Sequence, residues 1–232
     1  MFNNHKQHKG RNNVSKTVFF VFLPLLFLLT GHYAQAQDNP FMDEVTALQK
    51  RYDTLWDVSK ETIVFTGSSS IRMWKDLSTR FPGMQLVNTG FGGSQASDLL
   101  LYTDALILNF APKKVFIYEG DNDIAAQKKP KEIIATTQQI MDKIWKVRPD
   151  TEIVLISAKP SISRWELKRQ YKRLNRKFKK LSKKAPQVSF VDVWKPMLKG
   201  NKLKQDLFVK DGLHMNKKGY DIWQSAVAPF LN

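Results

Sequence analysis

Five short runs of β-branched and aromatic residues, separated by stretches of helical periodicity, leave this chain few ways to fold. The runs occupy 62–66, 85–88, 114–119, 152–157 and 188–192. Each has the length of a buried strand. None alternates cleanly between apolar and polar residues, which is the pattern of strands covered on both faces. Between them, apolar residues recur every three or four positions, as in Val45, Leu48, Tyr52 and Leu55. Ile133, Ile140 and Ile144 form a second stripe, Leu167, Tyr171, Leu174, Phe178 and Leu181 a third, and Tyr220, Trp223 and Val227 a fourth. Strands alternating with helices, with no internal repeat or low-complexity linker, predict one α/β domain whose parallel sheet is covered on both faces. In such folds ligands bind beyond the carboxyl ends of the strands.

The polar punctuation falls where that rule gives it meaning. Gly67-Ser68-Ser69-Ser70 follows the first run directly. Asn88-Thr89-Gly90-Phe91-Gly92-Gly93 follows the second, and Gly120-Asp121-Asn122-Asp123 the third. Asp211-Gly212-Leu213-His214 precedes the final helical stripe. Three polar or glycine-rich clusters are thus predicted at one edge of the sheet.

The first 36 residues carry Lys6, Lys9, Arg11 and Lys16 and no acid, then an apolar run over 17–30, then Ala34-Gln35-Ala36. This order predicts a secretory signal cleaved near Ala36, and hence a periplasmic or secreted protein. The run contains Pro24 and is shorter than the roughly 18–20 apolar residues that cross a bilayer, which counts against the alternative, an uncleaved anchor. No cysteine follows it, so a lipid-modified cysteine is excluded and the fold must stand without disulfides. Residues 37–232 are long enough for a single domain with its own core. His5, His8 and His32 lie in the expected signal, which leaves His214 as the sole histidine of the expected mature chain. Histidine is the side chain that titrates unperturbed near neutral pH, so His214 is the candidate for acid–base chemistry.

A serine needs a base to take its proton and donors to hold the oxyanion that forms. Ser69 is placed on a strand-to-helix turn, where backbone N–H groups are unpaired. Gly93 offers a bare N–H, Asn122 a side-chain amide, His214 a base, and Asp211 a carboxylate to fix the imidazole tautomer. Each cluster has a plainer explanation when taken singly. Ser70 suits a helix N-cap, the glycines a turn, and Asp211-Gly212 a turn dipeptide. It is their joint occurrence, in order and at one edge, that points to acyl transfer. Two rival motifs fail. Ile71 stands where a nucleophile elbow needs glycine, and Gln95 where a dinucleotide fingerprint does. With one histidine and no cysteine, neither a zinc site nor any other cofactor is expected.

These residues resemble the GDSL/SGNH hydrolases, a family marked by Ser, Gly, Asn and His in four successive blocks. Gly67 to Ser70 is similar to the first block and places the nucleophile at Ser69. Ser68 replaces the usual Asp, a known variant, and remains the alternative nucleophile. Gly93 matches the glycine of the second block, Asn122 the asparagine of the third, and Asp211 to His214 the last. The resemblance spans Ile63 to Trp223. It implies a three-layer α/β/α sandwich with a parallel sheet of about five strands, flavodoxin-like in layout. It further implies a serine esterase with Ser69, His214 and Asp211 catalytic and an oxyanion hole of Ser69, Gly93 and Asn122.

Residues 164–184 hold eleven Lys and Arg against Glu166 alone, a concentrated share of a net charge of +16. This is either a solvated helix face or a surface for an anionic glycan or lipid. Nucleic acid is not expected, because no recognition motif accompanies the charge. No long apolar insertion is present to form a lid over long acyl chains. Short-chain esters, acetyl groups on carbohydrate above all, are therefore the expected substrates. A lysophospholipase or arylesterase near membranes is the alternative, and a non-catalytic glycan or lipid binder on the same scaffold is the third reading. Trp74, Phe91 and Phe208 lie near the motifs and are candidates for stacking on a sugar ring or for the core.

Overall fold

The computed structural model describes residues 1–2 and 40–231, and from Asn39 onward the chain forms one compact unit. The expected export signal, with His5, His8, His32 and the cleavage site at Ala36, lies outside the described residues from residue 3 on. All five expected strands form: β1 (Thr62–Gly67), β2 (Gln85–Gly90), β3 (Lys114–Tyr118), β4 (Glu152–Ile156) and β5 (Val188–Val191). They pair in parallel throughout, in the order β2-β1-β3-β4-β5.

Parallel neighbours cannot be joined by a tight turn, so helices carry the connections. Helix α1 (Met42–Tyr52) precedes the sheet. Helices α2 (Ser69–Arg72) and α3 (Leu77–Arg80) link β1 to β2, and α4 (Ala96–Leu101) and α5 (Thr103–Leu106) link β2 to β3. Helices α6 (Asp121–Ala125) and α7 (Pro130–Val147) link β3 to β4. Helix α8 (Lys168–Leu181) links β4 to β5, and α9 (Lys217–Val227) closes the fold.

Successive strand side chains point to opposite faces, and each face meets its own helices. On one side Val64, Val115, Ile117, Ile153 and Leu155 pack with Ile133, Ile140 and Ile144 of α7 and with Tyr171, Leu174 and Phe178 of α8. On the other, Phe65, Phe116, Tyr118, Val154 and Ile156 pack with Ile71 of α2 and with Tyr220, Trp223 and Val227 of α9. The result is the three-layer α/β/α sandwich.

One expectation fails at the level of packing, and one open choice is decided. Helix α1 ends at Tyr52, and the turn that follows puts Leu55 in solvent. Trp56 packs there instead, its indole N–H donating to Thr62 Oγ1 at 2.9 Å. Trp74, Phe91 and Phe208 are all buried and serve the core, not a sugar ring. Trp74 sits among Phe65, Phe81, Tyr220 and Trp223, and Phe91 between Phe41 and Tyr102.

From β1 the chain crosses to β2 on one side, whereas β3 and the later strands extend to the other. The order reverses between β1 and β3, and their carboxyl ends flank the crevice where such folds bind ligands. Gly67 ends β1 there with a φ of +125°, and a Cβ on it would collide with the Tyr118 carbonyl of β3. Gly67→Ala is expected to cost about 2 kcal/mol or more of stability, from backbone strain and that collision. Urea denaturation checks this; an unchanged midpoint would show that the close approach does not matter.

Candidate active site

The chain leaves β1 held on both sides. The Gly67 carbonyl accepts the Phe91 N–H at 2.9 Å, and the Ser68 N–H donates to the Tyr118 carbonyl at 3.1 Å. Helix α2 therefore starts at Ser69, beside the crevice. Ser68 and Ser70 are buried, whereas Ser69 is half-buried. Among the three serines, Ser69 is the one whose Oγ meets His214 Nε2, at 3.0 Å. Ser68, the alternative nucleophile, occupies the N-cap position without a side-chain cap bond. The cap expected at Ser70 does not form. Ser70 lies within α2, and its carbonyl accepts the Tyr220 hydroxyl at 2.9 Å.

His214 arrives on a loop closed by a bridge between Phe208 and Met215, with the Val209 N–H donating to the His214 carbonyl at 2.9 Å. Just beyond, Asn216 caps α9 by accepting the N–H groups of Lys218 (2.9 Å) and Gly219 (3.3 Å). Within the loop, Asp211 Oδ1 accepts the N–H groups of Leu213 and His214 at 2.8 and 2.9 Å. Its Oδ2 lies 2.5 Å from His214 Nδ1. Partial burial would raise the Asp211 carboxyl, but the bonds from the His214 ring and these two backbone N–H groups outweigh it and hold its pKa at about 2. The carboxylate is thus charged and fixes the ring so that Nε2 faces Ser69. The Ile162 and Ser163 N–H groups tie the loop to the segment after β4 through the Gly212 carbonyl, at 2.8 and 3.1 Å.

Gly90, at the end of β2, lies so close to α2 that a Cβ would collide with the backbone of Ile71 and Arg72. The side chain of Asn88 bridges the same gap, donating to the Ile71 carbonyl at 2.8 Å. The loop carrying Gly93 is thereby fixed against the Ser69 turn, and neither the Gly93 nor the Ser69 N–H has a partner among the described residues. From the other side, Asn122 Nδ2 donates to the Ser94 carbonyl at 2.8 Å. Ser94 Oγ donates to Glu119 Oε1 at 2.7 Å, and burial, with the nearby Asp123 charge, pushes the Glu119 carboxyl well above the usual range. Asp123 is buried and accepts the Ala96 N–H at the start of α4. Ser69, Gly93, Asn122, Asp211 and His214 thus gather at one edge. The described contacts join Ser69, His214 and Asp211 directly, while Asn122 reaches the residue that follows Gly93.

The family model for GDSL-like lipases and acylhydrolases matches residues 56–222, most of the chain. The chain belongs to the GDSL-like lipase/acylhydrolase family. It is a carboxylic ester hydrolase. The acylhydrolase superposes on a candidate platelet activating factor from Streptococcus pneumonia with a TM-score of 0.72, at 25% identity over 84% of this chain and 95% of that one. A GDSL-like lipase from Bacteroides thetaiotaomicron gives a TM-score of 0.66, at 22% identity over 78% and 96%. A variant of an acetyl-xylooligosaccharide esterase from Geobacillus Stearmophilus gives 0.60, at 17% identity over 73% and 93%. No curated protein matches the sequence.

The acylhydrolase also contains a buried ionic cluster that its sequence pattern does not announce. Asp121, beside Asn122, accepts hydrogen bonds from Tyr118 Oη (2.9 Å), Tyr171 Oη (2.6 Å), Lys159 Nζ (3.2 Å) and Arg164 Nη1 (2.6 Å). The Lys159 side chain is fully buried. Burial would raise the Asp121 carboxyl, but the charges of Lys159 and Arg164 and the Tyr171 hydroxyl overcome this and hold it well below the usual carboxylate range. Arg164 Nη1 also donates to Asn122 Oδ1, at 3.1 Å. By sequence Arg164 was one cation among eleven, and only its pairing singles it out. Removing the charge in Asp121→Asn leaves the buried Lys159 and the half-buried Arg164 uncompensated and is expected to cost about 3–5 kcal/mol at neutral pH. Folding lowers this pKa, so the contribution is complete above the unfolded value of about 3.9 and is lost as pH falls toward the folded one. Stability measured against pH should therefore show wild type and variant converging in acid; equal stability at pH 7 would refute the pairing.

Proposed function

We propose that this acylhydrolase is an exported serine esterase that removes short acyl groups, acetyl above all, from carbohydrate esters. The observation that carries the reading is the chain of contacts from Ser69 Oγ to His214 Nε2 (3.0 Å) and from His214 Nδ1 to Asp211 (2.5 Å). Ser69 Oγ attacks the ester carbonyl while His214 takes its proton. The N–H groups of Ser69 and Gly93, with the Asn122 amide, hold the oxyanion. Collapse expels the alcohol, which leaves with the proton from His214. Water, deprotonated by His214, then hydrolyses the acyl-serine and releases the acid. Asp211 orients the imidazole and stabilises its cation without taking the proton.

Short acyl groups suit the exposed setting of Gly93 and the lack of a long apolar insertion in the sequence. The acetyl-xylooligosaccharide esterase compared above shows the fold turned to acetylated sugars. Export rests on the basic, apolar and small-residue order of residues 1–36.

With the expected mature chain, residues 37–232, p-nitrophenyl acetate should be hydrolysed, and Ser69→Ala or His214→Ala should each lower turnover about 10⁴-fold or more. Activity that survives Ser69→Ala would remove the nucleophile from that residue. C2 esters should be preferred over C12 esters; the reverse would favour the lysophospholipase.

That second reading, action at an anionic lipid or glycan surface, draws on one observation. Arg169, Lys172, Arg173, Arg176, Lys179 and Lys180 of α8 are exposed. Among the described residues, Arg164 alone of the 164–184 stretch forms an ion pair. The free cations give a positive flank that begins near the crevice. Binding to anionic vesicles that weakens from low to high salt is the expected result; no binding at low salt would leave α8 a solvated face.

A further inference from the structure

We propose that Arg164 is a positioning residue for ester hydrolysis, one that sets the Asn122 amide and strengthens it as a donor; this rests on the reading of Asn122 as an oxyanion donor. An amide has nearly the same shape in its two flipped orientations, yet only one presents an N–H to an oxyanion. In the orientation observed, Oδ1 accepts from Arg164 Nη1 at 3.1 Å and Nδ2 donates to the Ser94 carbonyl at 2.8 Å. A flip would set the amide N–H groups against the guanidinium and Oδ1 against the Ser94 carbonyl, losing both bonds. The second hydrogen on Nδ2 is left for a ligand. A cation on Oδ1 also polarises the amide and makes that N–H a better donor.

Arg164 is held firmly enough to do this. The same nitrogen donates to Asp121 Oδ1 at 2.6 Å, and Tyr171 and Lys159 fix that carboxylate in turn. Charge balance points the same way. Lys159, fully buried, already supplies one positive charge to the Asp121 carboxylate, so Arg164 is not needed for neutrality. The cluster therefore keeps a surplus positive charge beside Asn122. Arg164 is only partly buried, and its charge favours negative charge on the far side of the Asn122 amide, where the oxyanion of ester hydrolysis would develop.

The test is a double-mutant cycle on p-nitrophenyl acetate with Asn122→Ala and Arg164→Met. Asn122→Ala alone should lower kcat about 10²–10³-fold. Arg164→Met alone should lower kcat roughly 10–100-fold with KM changed less than about twofold, and should add little in the Asn122→Ala background. Lys159 still pairs with Asp121 in Arg164→Met, so the variant is expected to fold. If it does not, Arg164→Gln carries the same comparison. Lys183→Met is the control, since it removes an exposed cation of the same basic stretch without touching Asp121, Asn122 or Arg164; it should keep kcat. Fully additive losses would overturn the proposal, as would a rise in KM at constant kcat or an equal loss of kcat in Lys183→Met. Near-wild-type turnover in Asn122→Ala would overturn the oxyanion reading itself and this proposal with it.

Discussion

At the carboxyl ends of β1 and β3 two backbones approach until the Ser68 N–H donates to the Tyr118 carbonyl, leaving no room for a side chain on Gly67. Most of the site follows from that contact. It fixes the direction in which the chain leaves β1, and so which serine faces the crevice. It also sets the Ser69 turn beside the β3 end that carries Asp121 and Asn122. The strand order reverses between these two strands, so no helical connection fills the space above them. The crevice is a consequence of topology, and the glycine is what lets its walls come together.

Around that contact the molecule invests polar groups where an apolar core would be cheaper. Replacing a buried ion pair with well-packed hydrophobic residues is often neutral or stabilising, so a buried Asp–Lys–Arg cluster needs another rationale. Its geometry supplies one. Asp121 is adjacent to Asn122, and the bonds it receives come from β3, from the segments before α8, and from α8 itself. A well-satisfied polar cluster admits far fewer arrangements than aliphatic packing does. It holds three segments in one register beside the amide that the proposed mechanism uses.

The crevice side shows the opposite economy. Beyond Asp211, whose carboxylate takes two backbone N–H groups and the imidazole, the groups facing outward are left partly unmatched. The N–H groups of Ser69 and Gly93 have no partner among the described residues, and one hydrogen of the Asn122 amide is uncommitted. Gly93 is exposed and Ser69 half-buried, so these donors lie open to the crevice. In the proposed mechanism these donors would hold the oxyanion.

The sequence by itself determined the layers. Buried parallel strands must be nearly continuous apolar runs, and helices that cover them must repeat every three or four residues, so both appear in the chain as periodicity. It also determined the chemical inventory, since Ser69, Gly93, Asn122, Asp211 and His214 follow strands or precede a helix at positions the fold brings to one edge. The resemblance placed the nucleophile at Ser69 but kept Ser68 as the alternative. Only the tertiary structure brings Ser69 Oγ, 145 residues away in sequence, to His214, because the direction of each side chain depends on how two loops leave the sheet. It alone sent Trp74, Phe91 and Phe208 into the core. It alone separated Arg164 from the other cations of its stretch, by turning it toward an aspartate 43 residues earlier. Periodicity is written locally along the chain, whereas the pairing of two particular side chains depends on backbone paths set by every contact in between.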